Sequence, residues 1–240
     1  RLVLTAVPAA NTITAGTRGA YTVTVQDQFN NTQASHGGVT IPLTSTSVST
    51  SKAFYNAATA GSVITQLVLA NGTASGNFWY YDEAAAAYTM TASSAPLTAA
   101  THALTVASAA AARFVVTGGT AMVTGETNVM TISTYDAFNN VAAATYTGDK
   151  ILTLSGANAS PAPSAVAPTC TDKTGAAIAV GSPTTVAFTA GVGSCAMRLY
   201  KAEAASIQAT QGALATAPAD ALGVTVRHGA VNHLKLQGNI

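Results

Sequence analysis

Along most of this chain apolar and hydroxyl-bearing side chains alternate one for one, as in Tyr21-Thr-Val-Thr-Val25 and Met130-Thr-Ile-Ser-Thr134. A period of two sends successive side chains to opposite faces of an extended backbone, so each run reads as a strand with one face in a core. Clusters of Gly, Asn, Asp, Ser and Pro separate the runs and mark turns. The pattern predicts strands at Arg1–Val7, Val39–Ser45, Val63–Leu69, Thr73–Tyr81, Tyr88–Ser93 and His102–Ala107. It predicts a second series at Arg113–Gly118, Lys150–Ser155, Thr185–Thr189, Cys195–Lys201, Ser206–Thr210 and Gly223–Arg227. Asn71-Gly72 between two such runs predicts a type I′ hairpin, because both residue types tolerate positive φ. No segment carries a helical period, and the alanine-rich Ala84–Ala87 is too short to nucleate a helix.

The pattern repeats. Tyr21-Thr-Val-Thr-Val-Gln-Asp27-Gln-Phe29-Asn30-Asn31 returns 109 residues later as Met130-Thr-Ile-Ser-Thr-Tyr-Asp136-Ala-Phe138-Asn139-Asn140. Leu104-Thr-Val106 before Arg113-Phe114-Val-Val116-Thr-Gly118 returns 120 residues later as Val224-Thr-Val226 before His233-Leu234-Lys-Leu236-Gln-Gly238. Arg1-Leu2-Val-Leu4 is a third version of that opening strand. About seven short strands in about 110 residues, with turns every 8–12, is the signature of an immunoglobulin-like sandwich. The expected fold is therefore all-β: two tandem immunoglobulin-like β-sandwiches, 1–110 and 111–229, with 230–240 as the first strand of a third or a donated strand. The two offsets differ by 11 residues, which predicts an insertion in the second domain. It is placed near 156–170, where Pro161, Pro163 and Pro168 disfavour a ladder.

Composition narrows the partners. Charged residues are 8% of the chain, against roughly 25% in typical domains, so the surface must be built from Thr, Ser, Ala, Gly and Asn. The net charge is +1 with no basic cluster, which leaves no electrostatic footprint for nucleic acid. No run reaches the 18 apolar residues of a membrane-spanning helix, so no membrane insertion of this segment is expected.

Two stretches, Tyr21-Thr-Val-Thr-Val-Gln-Asp27-Gln-Phe-Asn-Asn31 and Ala70-Asn71-Gly72-Thr73-Ala74 followed by Tyr88-Thr89-Met90-Thr91-Ala92, resemble the bacterial immunoglobulin-like domains of the invasin and intimin type. The resemblance spans both domains. It implies a sandwich fold, a cell-surface or extracellular location, and service as a stalk, adhesin arm, filament or surface-layer building block.

Few residues carry chemistry. Cys170 and Cys195 sit in one domain beside the insertion, where a disulfide would tie the loop to the sheet; two free thiols are the alternative. Asp27 and Asp136 occupy the same place in both repeats. Calcium ligation is one reading. With nine acidic residues and no Asp-x-Asp-x-Asp loop, the favoured reading is an Asp that fixes its turn with Asn30 and Asn31, or with Asn139 and Asn140, and no cofactor. His36, His102, His228 and His233 lack metal-ligand spacing, and no nucleophile elbow, carboxylate pair or phosphate loop is present. Asn30, Asn71 and Asn158 open Asn-x-Ser/Thr triplets.

In Phe78-Trp79-Tyr80-Tyr81, matching Trp79 to Leu199 points both inward and leaves Phe78 and Tyr80 as a possible outward contact patch. The expected function is a non-catalytic extracellular structural repeat whose partners are neighbouring domains or copies of itself, the latter through a donated strand bearing His233, Leu234 and Leu236. The alternative is an adhesive module that grips a host receptor or carbohydrate through Phe78 and Tyr80, or through the insertion.

Overall fold

The alternating runs fold as ladders because burying one parity of each strand builds a core while the other parity keeps its hydroxyls in water. A computed structural model describes residues 1–7, 11–35, 37–163 and 165–231. The chain divides into two compact units, Arg1–Ala109 and Ala110–Ile240. Among the described residues there is no α-helix, only a 3₁₀ turn at Pro218–Asp220.

The first unit contains β1 (Leu2–Val7), β2 (Thr12–Thr14), β3 (Arg18–Val25), β4 (Val39–Ser45), β5 (Ala53–Tyr55), β6 (Val63–Ile64), β7 (Gln66–Leu69), β8 (Ser75–Tyr81), β9 (Ala86–Ser94) and β10 (Leu97–Ala107). One sheet runs β1-β3-β8-β5-β6 and the other β2-β10-β9-β4-β7. Only β2 and β10 pair in parallel; the rest are antiparallel. Between the sheets lie Tyr21, Val23, Ile41, Phe54, Phe78, Tyr80, Met90 and Leu104, all buried.

The second unit contains β11 (Arg113–Thr117), β12 (Ala121–Val123), β13 (Asn128–Tyr135), β14 (Gly148–Ser155), β15 (Thr169–Thr171), β16 (Ala177–Ala179), β17 (Pro183–Thr189), β18 (Val192–Arg198), β19 (Ala204–Gln211), β20 (Leu214–Ala215) and β21 (Leu222–Arg227). Its ladders repeat those of the first unit: β13–β18 answers β3–β8, and β15 lies on β18 as β5 lies on β8. Likewise β14–β19–β21–β12 answers β4–β9–β10–β2. Both units are immunoglobulin-like sandwiches.

The units differ at one turn, against expectation. Asn71-Gly72 does not close a hairpin, because β7 pairs with β4 and β8 with β3. The turn carries the chain from one sheet to the other. Gly72 has φ +83 but Asn71 is not in the left-handed region, so type I′ is excluded. The tight hairpin lies in the second unit, where Ala190 (φ +48) and Gly191 (φ +80) join β17 to β18 and Thr189 faces Val192. That ladder fuses the two sheets of the second unit into one continuous path.

The ladders also locate the extra residues. Tyr21 faces Phe78 and Met130 faces Cys195, so Phe78 and Cys195 are equivalent and 117 residues apart. By the same pairing Leu43 answers Leu154 at 111 and Phe54 answers Cys170 at 116. The 11 extra residues are therefore spread along the unit. Five fall in the stretch before Cys170, where the described residues of 156–168 form no strand. Three fall between β19 and β21, next to the 3₁₀ turn.

Candidate functional site

The repeated Asp closes its turn in the same way in both units. Asp27 Oδ1 accepts the backbone N–H of Phe29 (2.8 Å) and Asn31 (2.9 Å), and its Oδ2 accepts Asn31 Nδ2 (3.0 Å). Asp136 Oδ1 accepts the N–H of Phe138 and Asn140, both 2.9 Å, and its Oδ2 accepts Asn140 Nδ2 (2.9 Å). Asn30 (φ +71) and Asn139 (φ +67) take the left-handed position that Asn tolerates. The Asn31 side chain, then its backbone amide, hold the Asp27 carboxyl below its ordinary value. Both oxygens of each carboxylate are thus committed to amides. Among the described residues no group of three or more His, Cys, Asp or Glu gathers in one place.

Cys170 and Cys195 are bonded, with Cα atoms 5.9 Å apart. The bond joins β15 to β18 inside the core, where Cys170 is fully buried and Cys195 nearly so. It pins the strand that follows the irregular 156–168 stretch onto the sheet.

The aromatic run corrects the sequence reading. Phe78 and Tyr80 are both 0% exposed and face inward, so neither is a surface patch. The cause is parity. The offset between repeats is 117 at this strand, not 120, and a shift of three residues, being odd, exchanges the two faces. Leu199 therefore answers Asp82, not Trp79. Tyr21, Phe54, Phe78 and Tyr80 form one buried aromatic cluster, with Tyr21 stacked on Phe78 at 5.6 Å and Phe54 edge-on to it at 5.7 Å.

The opposite parity carries a partly exposed group that sequence reasoning missed: Tyr55, Trp79, Tyr81 and Arg18. Tyr55 faces Trp79 across the β5–β8 ladder, and Arg18 faces Tyr81 across β3–β8. The Tyr55 and Tyr81 rings stand 6.4 Å apart at 84°. The Arg18 guanidinium lies 3.4 Å from the Tyr55 ring centre and donates to the carbonyls of Ala57 (3.0 Å) and Ala60 (3.3 Å). Tyr81 donates its hydroxyl to Glu83 Oε1 at 2.5 Å, and that bond, with some burial, pushes the phenol up to about 12. Pairing the run with Tyr21 rather than with the end of the repeat would have revealed this face.

Beneath it lies a buried polar node. Asp82 is 0% exposed. Its Oδ2 accepts the Tyr80 hydroxyl (2.6 Å) and its Oδ1 accepts the Ala84 N–H (3.0 Å). Burial pushes the Asp82 carboxyl up, but hydrogen bonds from Ser47, Tyr80, Ala84 and Ser49 outweigh it and hold the group below its ordinary value. Desolvation, then the bond to Asp82, raises the Tyr80 phenol far above its usual range.

The other candidates do not converge. His102 is half-buried, edge-on to Tyr21 at 5.5 Å, and His228 is exposed. Asn158 gives its side-chain amide to Glu203. His36, His233, Leu234 and Leu236 lie outside the described residues, as does nearly all of the proposed 230–240 strand.

No protein-family model matches the sequence, and no curated protein matches it. Among solved structures the chain is similar to InvD of Yersinia pseudotuberculosis, at 18% identity over 99% of this chain, with a TM-score of 0.45. It is similar to FdeC, an Escherichia coli adhesin, at 16% identity over 95% of this chain, with a TM-score of 0.41. It is also similar to the Yersinia pseudotuberculosis adhesin InvE, at 16% identity over 94% of this chain, with a TM-score of 0.34. The chain spans 60%, 63% and 58% of the length of those three.

Proposed function

We propose that this chain is a non-catalytic, extracellular building element: paired sandwich repeats of a surface stalk, filament or surface layer. The observation that carries the reading is the doubled sandwich itself, built twice on the same strand order with the same Asp-closed turn. The recurring polar groups hold the backbone together. A buried disulfide fits a protein that folds outside the reducing cytoplasm. Neighbouring repeats or further copies of the chain are the partners this reading implies, including strand donation through His233, Leu234 and Leu236. The adhesive alternative loses its first contact patch with the burial of Phe78 and Tyr80.

Pulling on single chains tethered at their ends tests the proposal. The expected record is two discrete unfolding steps, one per unit, with the second lengthening in reductant as the 25-residue Cys170–Cys195 span is freed. A chain that yields gradually at low force, with no discrete steps, would sink the mechanical role.

A further inference from the structure

We propose that the outward face of the β3–β8–β5 sheet in the first unit is a binding site for a neutral pyranose ring, stacked on Trp79 and Tyr81.

The fold does not require this group. At the equivalent positions of the second unit stand Thr127 for Arg18, Thr171 for Tyr55, Ala196 for Trp79 and Arg198 for Tyr81. There the Thr171 hydroxyl simply accepts the Ala196 N–H. The same sandwich thus closes with no aromatic ring at these four positions, so the fold does not demand the three rings of the first unit. All three are partly exposed, and partly exposed aromatic rings are informative when they gather in one place.

The arrangement suits a ring with an apolar face and a polar rim. Trp79 and Tyr81 are two residues apart on β8, on the same side of the sheet and about 7 Å apart. Tyr55 stands across from Trp79 and perpendicular to Tyr81, making a corner instead of a flat stack. Two of the three rings are held in advance: Arg18 is fixed by two carbonyls over Tyr55, and Tyr81 is fixed by Glu83. Such preorganisation lowers the ordering cost of binding.

Charge and size choose the ligand. One guanidinium and one carboxylate flank the rings, and each is already engaged, so the face favours neither an anion nor a cation. Four side chains offer far less than the roughly 800 Å² per partner of a stable protein interface. A neutral sugar, whose hydroxyls bond to such a rim while its C–H face lies on the rings, fits both limits.

Trp79 is the only tryptophan in the chain, so its fluorescence reads the site directly. The intact chain is titrated with cellohexaose, chitohexaose, maltohexaose and mannohexaose. At least one is expected to produce a saturable change in emission. Tyr81→Ala and Tyr55→Ala should then weaken that sugar about tenfold or more, with the first unit still unfolding in a single cooperative melting transition. Trp79→Phe, followed by calorimetry, should retain part of the affinity. Thr171→Ala and Arg198→Ala should leave it unaltered. The proposal is overturned if none of the four sugars gives a saturable change, or if Tyr81→Ala binds as the parent does. It is also overturned if emission follows protein concentration without sugar, which would assign the face to a second copy of the chain.

Discussion

Cys195 occupies in the second unit the sheet position that Phe78 holds in the first, each directly across the ladder from the repeated residue Met130 or Tyr21. The substitution extends to the neighbours. Tyr21, Phe54, Phe78 and Tyr80 of the first core are answered by Met130, Cys170, Cys195 and Met197 of the second. At these four positions one copy of the sandwich carries four rings and the other four sulfur side chains, while the second unit's own rings, Phe114, Tyr146 and Phe188, pack elsewhere in its core. The edge contact of Phe54 on Phe78 is replaced by a covalent bond between the same two strands.

That exchange predicts that the two units depend differently on redox state. Closing a 25-residue span contributes about 3.5 kcal/mol by the loop-entropy argument. Cys170→Ser with Cys195→Ser, or strong reductant on the parent, should lower the melting transition of the second unit and leave the first in place. Calorimetry of the whole chain checks this; a shared shift of both transitions would contradict it.

The parity of β8 gives a sharper contrast. Phe78→Ala opens a cavity in the aromatic cluster and should cost about 3–5 kcal/mol of first-unit stability. Trp79→Ala, one residue away on the outer face, should cost about 1 kcal/mol or less. Denaturant titration of the two variants reads the difference. Equal costs would mean that the strand register is otherwise.

These two residues also mark the limit of what the sequence made legible. Strands such as Val39–Ser45 could be read because alternation and turn residues agree along a short stretch. The Asp27 and Asp136 turns could be read because the motif is local and occurs twice. Phe78 and Trp79 were assigned to the wrong faces because their parity depends on long-range pairing with Tyr21, and the extra residues of the second unit are divided among several loops. Asn71-Gly72 failed for a related reason: a turn that closes a hairpin and one that crosses between sheets look alike locally, and only the partners of β7 and β8 separate them.

Gly156 is expected to be the least replaceable glycine of the second unit. Its φ is +98, and a Cβ there would stand 1.7 Å from the Ser206 carbonyl oxygen, a backbone atom held by its strand. Gly156→Ala should cost about 3 kcal/mol or more. Gly175 has a similar φ of +89 but open space around it, so Gly175→Ala should cost only about 1 kcal/mol from backbone strain. Melting temperatures of the second-unit transition rank the pair.

The Asp-closed turns should differ in cost although their bonds are the same. Asp136 is 1% exposed whereas Asp27 is partly open to water. Asp136→Ala leaves part-buried amides without acceptors and should cost about 1–3 kcal/mol. At Asp27 water replaces much of what is lost, so Asp27→Ala should shift melting much less. A larger effect at Asp27 would show that the exposed turn has a role beyond fixing the backbone.

Acid should act on the first unit through Asp82. Its carboxyl is held below the ordinary value of 3.8 in the folded state, because the hydroxyls of Ser47, Tyr80 and Ser49 and the Ala84 amide outweigh its burial. The unfolded chain binds that proton more readily than the folded one. Its stabilising contribution is therefore complete above the unfolded value and is lost as pH falls through the lower folded value. Asp27, also lowered, acts in the same direction. The first-unit transition should thus be nearly level above about pH 5 and fall steeply below about pH 4. Asp82→Asn keeps the shape but removes the ionisation, so the acid slope should flatten to what Asp27 leaves, at the price of a lower melting temperature at neutral pH. Calorimetry across that range decides the matter: an unchanged acid slope in Asp82→Asn would mean that Asp82 is not the carboxylate whose protonation weakens the unit.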